Sequence, residues 1–180
     1  MGNTGKTLFL VGPRASGKTT VGRMLARALG RSCEDTDVRI EKNVGMSIAR
    51  FVAEKGWPAF REAESRALHD VSDGDGGKGL VVSTGGGMVL SVENRNYMRS
   101  RGVVIYLSAP VAVLAGRLRK NGDAGKRPSL TGGAIADEVG QVMAERGPLY
   151  RACAHFIVDA AAAPEAVCSV VKSLLETSCP

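Results

Sequence analysis

The sequence predicts an α/β fold, in which a parallel β-sheet is covered by helices on both faces. Short apolar runs alternate with helical patterns along the whole chain, and this alternation is typical of parallel sheets. Residues 80–83 and 103–107 are almost continuously apolar, as expected for strands that are buried on both faces. A glycine-rich segment, residues 12–19, lies between a predicted strand and a predicted helix. At 180 residues, the chain has the length of one domain.

The segment from Gly12 to Thr19 reads G-x-x-x-x-G-K-T, the phosphate-binding loop pattern. Strand 7–11 precedes it, and a helix that Gly30 ends follows it. The two glycines allow a tight turn, and the N–H groups at the start of the helix then point at an anion. Lys18 would reach the β- and γ-phosphates, and the Thr19 hydroxyl would ligate Mg²⁺. This pattern predicts a nucleoside triphosphate site.

Two carboxylates, Asp35 and Asp37, follow the short predicted strand 32–35. The carboxyl edge of a parallel sheet is where open α/β folds bind ligands. One carboxylate could hold Mg²⁺, directly or through water, while the other faces a second ligand. The alternative is that one of them only caps the next helix.

Helical patterns extend from Val38 to about Ala67, with breaks at Gly45 and around 56–58. Within them Arg61 and Glu64 share a helix face at i, i+3 spacing. A solvated surface pair is the default interpretation, and such a pair contributes little to stability. Because aromatic residues flank it, Arg61 could instead bind a carboxylate.

Gly85, Gly86 and Gly87 follow predicted strand 80–83. Three consecutive glycines cost backbone entropy, which is reasonable where a ligand must approach the backbone closely. A plain loose turn remains the alternative. The remaining predicted elements are helix 91–100, strand 103–107, helix 110–119, helix 134–152, strand 155–158 and helix 164–176.

Residues 120–133 are polar, glycine-containing and basic. A loop of this kind without an apolar pattern is typical of a mobile lid. Arg127 at its middle is a candidate cation for a transferring phosphate, and a solvated arginine is the equal alternative.

The formal charge is +6, which is compatible with nucleic acid or with small anions. The chain has no basic block, and only 4% of its residues are aromatic, so small anionic ligands are favoured over nucleic acid. The four cysteines form no C-x-x-C pair, which suggests thiols in a reducing compartment. No apolar run has membrane-spanning length, and we expect a cytoplasmic enzyme.

Taken together, these residues resemble the shikimate kinase family, whose members have a phosphate-binding-loop fold like that of nucleoside monophosphate kinases. The resemblance extends from about Thr7 to Leu175. It rests on five ordered features: Gly12 to Thr19, Asp35-Thr36-Asp37, Phe60-Arg61-x-x-Glu64, Gly85-Gly86-Gly87, and Arg127-Pro128 with Arg146-x-Pro148-Leu149-Tyr150-Arg151.

The resemblance implies a three-layer α/β/α fold with a five-stranded parallel sheet. It also implies a helical substrate-binding subdomain at about 37–68 and a lid at about 120–133. The implied reaction is ATP-dependent phosphorylation of the 3-hydroxyl of shikimate, with Mg²⁺ as cofactor and a monomer as the working form.

The resemblance also assigns roles to individual residues. The ATP phosphates would be wrapped by residues 15–20, namely Ala15, Ser16, Gly17, Lys18, Thr19 and Thr20. Mg²⁺ would be held by Thr19 and, through water, by Asp35. Shikimate would be bound by Asp37, the backbone of Gly85 to Gly87, Arg61 and Arg146. Arg127 would lie on the phosphates, and Arg119 would lie against adenine.

Two other functions fit parts of the pattern. One is a related small kinase that acts on gluconate or a nucleoside monophosphate, which the triple glycine and the Phe60-Arg61-x-x-Glu64 element disfavour. The other is a domain that binds its ligand without catalysis. Such a domain is expected to lose phosphoryl-transfer residues, and this chain keeps Lys18, Asp35, Asp37 and Arg127.

Overall fold

The computed structural model describes residues 5–73, 79–120 and 135–177. The strands are β1 (Thr7–Val11), β2 (Ser32–Asp35), β3 (Leu80–Ser83), β4 (Gly102–Ser108) and β5 (Phe156–Asp159). The helices are α1 (Lys18–Leu29), α2 (Thr36–Val44), α3 (Ile48–Asp73), α4 (Val92–Arg101), α5 (Val111–Lys120), α6 (Ile135–Cys153) and α7 (Pro164–Thr177). A single 3₁₀ turn, Met88–Leu90, follows β3.

All five strands are parallel, in the order β2-β3-β1-β4-β5. Strand β1 lies at the centre, and its side chains alternate between the two faces of the sheet. Leu8 and Leu10 pack against α1 and α7, whereas Phe9 and Val11 pack on the opposite face with residues of α3, α4 and α6. This arrangement confirms the predicted three-layer α/β/α fold with a five-stranded parallel sheet.

Helices α2 and α3 contain a small apolar core of their own, formed by Ile40, Ile48, Val52, Phe60, Ala63 and Ala67. Helix α2 ends at Gly45, and α3 is kinked at Gly56, where φ is 79° and ψ is 169°. Both breaks lie where the sequence predicted them. Helix α3 continues past the predicted end near Ala67, because Leu68 and Val71 are buried against the central sheet.

The predicted lid, residues 120–133, lies outside the described residues apart from Lys120, and Arg127 lies there with it. In the described segments, none of the helices combines the length and the apolar character that a membrane span requires.

Candidate active site

The phosphate-binding loop connects β1 to α1 and turns through left-handed backbone conformations. Gly12 has φ 147°, Ala15 61° and Gly17 93°. A Cβ atom on Gly12 would lie 2.7 Å from the carbonyl oxygen of Leu107, so only glycine fits there without a shift. Helix α1 begins at Lys18, with no acidic residue in its first turn. Its N-terminus can therefore receive an anion.

Lys18 is held by the loop itself. The Nζ atom donates to the carbonyl oxygens of Gly12 at 2.9 Å and Pro13 at 2.7 Å, and it lies 3.4 Å from Ser16 Oγ. Because Lys18 and Ser16 are buried, this ammonium group is kept at the position where phosphate oxygens would bind. Thr19 is half-buried and Thr20 is exposed at the start of α1.

The side chains of Thr19 and Asp35 meet at the carboxyl edge of the sheet. Thr19 Oγ1 donates to Asp35 Oδ2 at 2.8 Å. Asp35 Oδ1 accepts from the N–H of Asp37 at 3.0 Å and from that of Val38 at 3.4 Å. Asp35 is therefore both the cap of α2 and the neighbour of the Thr19 hydroxyl.

This donor set fits Mg²⁺, which binds one or two protein oxygens together with waters and substrate phosphates. No group of three or more His, Cys, Asp or Glu side chains suited to a metal occurs in the described part of the chain. Residues 5–73, 79–120 and 135–177 therefore do not form a metal site built from protein side chains alone.

A cleft opens beside the loop. It is lined by residues from the loop, from α2 and α3, from the segment after β3 and from α6: Arg14, Asp37, Ile48, Trp57, Phe60, Arg61, Glu64, Gly86, Gly87 and Arg146. The structure thus brings together Asp37, Arg61, Gly86, Gly87 and Arg146, which the resemblance assigned to one site.

Arg61 and Glu64 form an ion pair inside this cleft. The Glu64 side chain is only 2% exposed, whereas that of Arg61 is 29% exposed. The guanidinium carbon of Arg61 lies 5.2 Å from the ring centre of Trp57 and 5.4 Å from that of Phe60. Glu64 and the two aromatic rings therefore hold the Arg61 guanidinium inside the cleft. The alternative of a solvated surface pair does not apply.

Burial raises the pKa of the Glu64 carboxyl group. The Asp37 charge adds to this rise, while Arg61, the larger opposing influence, and Arg146 work against it. The free-energy cost of burying the carboxylate therefore exceeds the stabilisation that its cationic neighbours provide.

Two of the three glycines after β3, Gly85 and Gly87, leave room for side chains of the site. A Cβ atom on Gly85 would lie 2.8 Å from Asp37 Oδ1 and 2.8 Å from Glu64 Oε1, and one on Gly87 would overlap the Arg61 guanidinium. At Gly86 the same test gives only ordinary contacts, the nearest at 3.6 Å. From the sequence, close approach of a ligand to the backbone was the expected reason for the three glycines. For two of the glycines, the structure supplies a different reason, which is the packing of the cleft's own charged groups.

Arg146 reaches the cleft from α6 and is 8% exposed. Its Nη1 atom lies 3.4 Å from the carbonyl oxygen of Gly86. Its Nε atom is buried and makes no hydrogen bond to any described residue. Arg14, Arg61 and Arg146 thus face two carboxylates, Asp37 and Glu64, and the cleft carries an excess of positive charge that suits a small anion.

Sequence reasoning missed two arginines at the site. Arg14 occupies a variable position of the loop, where no pattern marks it. Arg117 donates to the carbonyl oxygen of Ala15 at 3.3 Å and to that of Ala161 at 3.2 Å, whereas Arg119 is exposed. The helical pattern of α5 does not separate Arg117 from Arg119, because both adjoin the buried Leu118.

Comparison with known proteins agrees with this geometry. The shikimate kinase family model matches residues 14–176. Shikimate kinase 2 of Syntrophotalea carbinolica is 50% identical over 171 residues, covering 95% of this chain and 97% of that protein. The shikimate kinase of Nitratidesulfovibrio vulgaris is 48% identical over 178 residues, covering 99% of this chain and 100% of that protein.

Solved structures give the same result. Shikimate kinase from Acinetobacter baumannii in complex with shikimate superposes with a TM-score of 0.86 at 32% identity, covering 98% of this chain and 96% of that one. A gluconokinase from Sinorhizobium meliloti shares the fold with a TM-score of 0.55 at 16% identity, covering 97% of this chain and 96% of that one. On the extent of these matches, the chain belongs to the shikimate kinase family.

Proposed function

We propose that this chain transfers the γ-phosphoryl group of ATP to the 3-hydroxyl of shikimate, giving shikimate 3-phosphate and ADP. The observation that carries the proposal is the cleft beside the phosphate-binding loop, where three arginines surround a space that also contains Asp37. Shikimate has one carboxylate and three ring hydroxyls. A site with excess positive charge, in which the Asp37 carboxylate can accept a hydrogen bond, is complementary to both kinds of group.

On the nucleotide side, the backbone of residues 15–20 would wrap the phosphates at the N-terminus of α1. The Lys18 ammonium would exchange its bonds to the Gly12 and Pro13 carbonyls for bonds to phosphate oxygens. Thr19 and Asp35 would hold Mg²⁺. Bound there, Mg²⁺ would supply positive charge that offsets the negative charge of the phosphate oxygens. Arg127, from the predicted lid, would add a second cation at the transferring group.

For the arginine beside adenine, Arg117 is a better candidate than Arg119. Its guanidinium donates to a carbonyl oxygen of the phosphate-binding loop and to one of the segment before α7. Arg117 therefore lies beside the loop that would bind the ATP phosphates. Arg119, which was the prediction from sequence, points into solvent.

On the acceptor side, Arg61 and Arg146 would clamp the substrate carboxylate, with Arg14 contributing charge from the loop. Asp37 would hydrogen-bond the attacking hydroxyl and accept its proton. The backbone of Gly85 to Gly87 would bind the other hydroxyls. Catalysis would then rest on positioning and on charge neutralisation, as phosphoryl transfer requires.

The test is a coupled ADP-release assay with Mg-ATP and four acceptor conditions: shikimate, gluconate, AMP and no acceptor. We expect release with shikimate alone, and NMR of the product should place phosphate on the 3-hydroxyl. The isosteric variant Asp37→Asn should lose turnover while retaining ATP binding. Turnover of gluconate or AMP with shikimate inert would contradict the proposed substrate, and full activity of Asp37→Asn would contradict the role of Asp37.

We further propose that the enzyme acts as a monomer in the cytoplasm. The free thiols of Cys33, Cys153 and Cys168 support a reducing compartment. Sedimentation of the purified protein tests the monomer, and a stable dimer at assay concentrations would contradict it.

A further inference from the structure

Tyr150 belongs to the motif around Arg146, but none of the roles above uses it. It lies on α6 one turn after Arg146, and its side chain is fully buried. The Tyr150 hydroxyl is 2.6 Å from the carbonyl oxygen of Gly86. A carbonyl oxygen only accepts, so the phenol is the donor. This bond ties the α6 helix to the glycine segment that lines the cleft.

The Tyr150 bond is the stronger of two restraints on the Gly86 carbonyl group. The other donor, Arg146 Nη1, is 3.4 Å away, which is beyond the usual length of an N–H···O bond. Gly86 and Gly87 have no side chains with which to hold their own backbone, and glycine backbone is freer than that of other residues. The neighbouring carbonyl groups of Gly85 and Gly87 accept from the N–H groups of Met88 and Leu90. The Gly86 carbonyl instead takes its hydrogen bonds from side chains of α6, so those contacts orient this peptide group.

The phenol is well suited to provide that contact. Its ring stacks on that of Tyr106 with 5.1 Å between centroids and 23° between planes, within the apolar core of the central sheet. Burial raises the pKa of the Tyr150 hydroxyl far above its ordinary value. The raised pKa keeps the phenol protonated, so it is a hydrogen-bond donor at neutral pH.

The Gly86–Gly87 peptide bond is trans, so its carbonyl oxygen and its N–H point in opposite directions. With the carbonyl held on Tyr150, the Gly87 N–H is turned away from that helix. We propose that Tyr150 is a positioning residue for shikimate binding: its hydroxyl holds the Gly86–Gly87 peptide so that the Gly87 N–H faces the substrate. This inference rests on the proposed function.

The test compares Tyr150→Phe with Tyr106→Phe. Both changes remove one hydroxyl from the same stacked pair and leave the rings in place. The Tyr106 hydroxyl is buried and has no hydrogen-bond partner among the described residues, so its removal is a matched control. Steady-state assays give KM for shikimate, KM for ATP and kcat for the wild type and both variants.

A second readout does not depend on turnover. Trp57 is the only tryptophan in the sequence and lines the cleft, so its fluorescence reports shikimate binding directly. The titration is run below the lowest Tm of the three proteins, so that each is folded. Tm is measured for each, to separate loss of stability from loss of binding.

We expect Tyr150→Phe to raise both Kd and KM for shikimate about three- to tenfold, in line with the loss of one buried hydrogen bond. KM for ATP should stay unchanged, and Tyr106→Phe should match the wild type in all constants. Unchanged shikimate Kd in Tyr150→Phe, whatever its Tm, would overturn the proposal. An equal rise in both variants would overturn it too, because ring packing would then be responsible. Failure of the wild type to bind shikimate would overturn the proposed function as well, and that failure would be visible before any variant is compared.

Discussion

The phosphate-binding loop and the acceptor cleft lie side by side and share Arg14, yet they are assembled from different kinds of contact. The loop is one segment between β1 and α1, and Lys18 is held by carbonyl groups only five and six residues away. The acceptor cleft collects side chains from α2, α3 and α6 and the glycine backbone of the segment after β3. The bond from Tyr150 to Gly86 spans 64 residues.

The two regions also differ in how charge is balanced. In the loop, the Lys18 ammonium group donates hydrogen bonds to backbone carbonyl oxygens. In the cleft, arginines and carboxylates balance one another, and a buried carboxylate, Glu64, depends on a partly exposed arginine. A change in the loop should therefore act mainly on catalysis, whereas a change in the cleft should affect both substrate binding and stability.

The largest effect is expected at Lys18. Lys18→Met removes the cation from the phosphate site, and kcat should fall by about 10²–10³-fold or more, since a preorganised donor to the transferring group is lost. The variant also leaves the Gly12 and Pro13 carbonyls without this donor, so Tm should fall slightly. ADP-release assays and thermal denaturation measure both changes. Retention of more than a tenth of wild-type kcat would argue against the assigned role.

Arg61→Ala tests the coupling expected in the cleft. Loss of the guanidinium should raise the shikimate Kd by about 100-fold. It should also lower the free energy of unfolding by about 1–3 kcal/mol, because buried Glu64 loses its partner and the pair is only partly shielded from solvent. Trp57 fluorescence and urea denaturation provide the two measurements.

The double variant Arg61→Ala/Glu64→Gln separates the two consequences. It should recover part of the stability, because no unpaired carboxylate remains, and it should not recover shikimate binding. Recovery of binding together with stability would show that Arg61 acts only as a structural partner of Glu64.

Gly87→Ala and Gly86→Ala form a matched pair. A methyl group at Gly87 would overlap the Arg61 guanidinium, whereas one at Gly86 meets only ordinary contacts. Gly87→Ala should therefore raise KM for shikimate about 10- to 100-fold, the effect of losing a charged hydrogen bond. Gly86→Ala should have the smaller effect, and KM for ATP should change in neither. A larger rise in the KM for shikimate in Gly86→Ala than in Gly87→Ala would contradict the steric explanation.

The smallest effect is a pH dependence of stability at Glu64. Burial raises its pKa in the folded protein above the ordinary value of 4.5, so ionisation is less favourable in the folded state than in the unfolded state. Its contribution to stability is therefore fully present below pH 4.5 and is lost as pH rises through the folded-state pKa. Glu64→Gln does not titrate. The free energy of unfolding of this variant, relative to wild type, should rise with pH across that window and then level off. Urea denaturation at a series of pH values measures it, and a relative stability that falls with pH would contradict the raised pKa.

Local patterns in the sequence were enough to predict the fold class and the nucleotide site. Alternating apolar runs and helical patterns predicted the parallel sheet, and glycine spacing predicted the loop and the breaks at Gly45 and Gly56. Both kinds of signal are local, because the spacing of apolar residues and the conformation of a turn are evident within a few neighbouring residues. Helix α3 was predicted too short, since its last turns are stabilised by packing against the distant sheet.

The sequence by itself determined which residue types are available for the acceptor site, and the resemblance to shikimate kinases assigned a role to each of them. Only the tertiary structure decided that Arg61 pairs with the buried Glu64 in the cleft. It likewise decided that Gly85 and Gly87 make room for charged side chains, and that Arg117 rather than Arg119 reaches the loop. It also decided that Tyr150 holds the Gly86 carbonyl. The physical reason is that burial, and contact between groups far apart in the chain, exist only once the sheet has brought the helices together, and no local pattern encodes them.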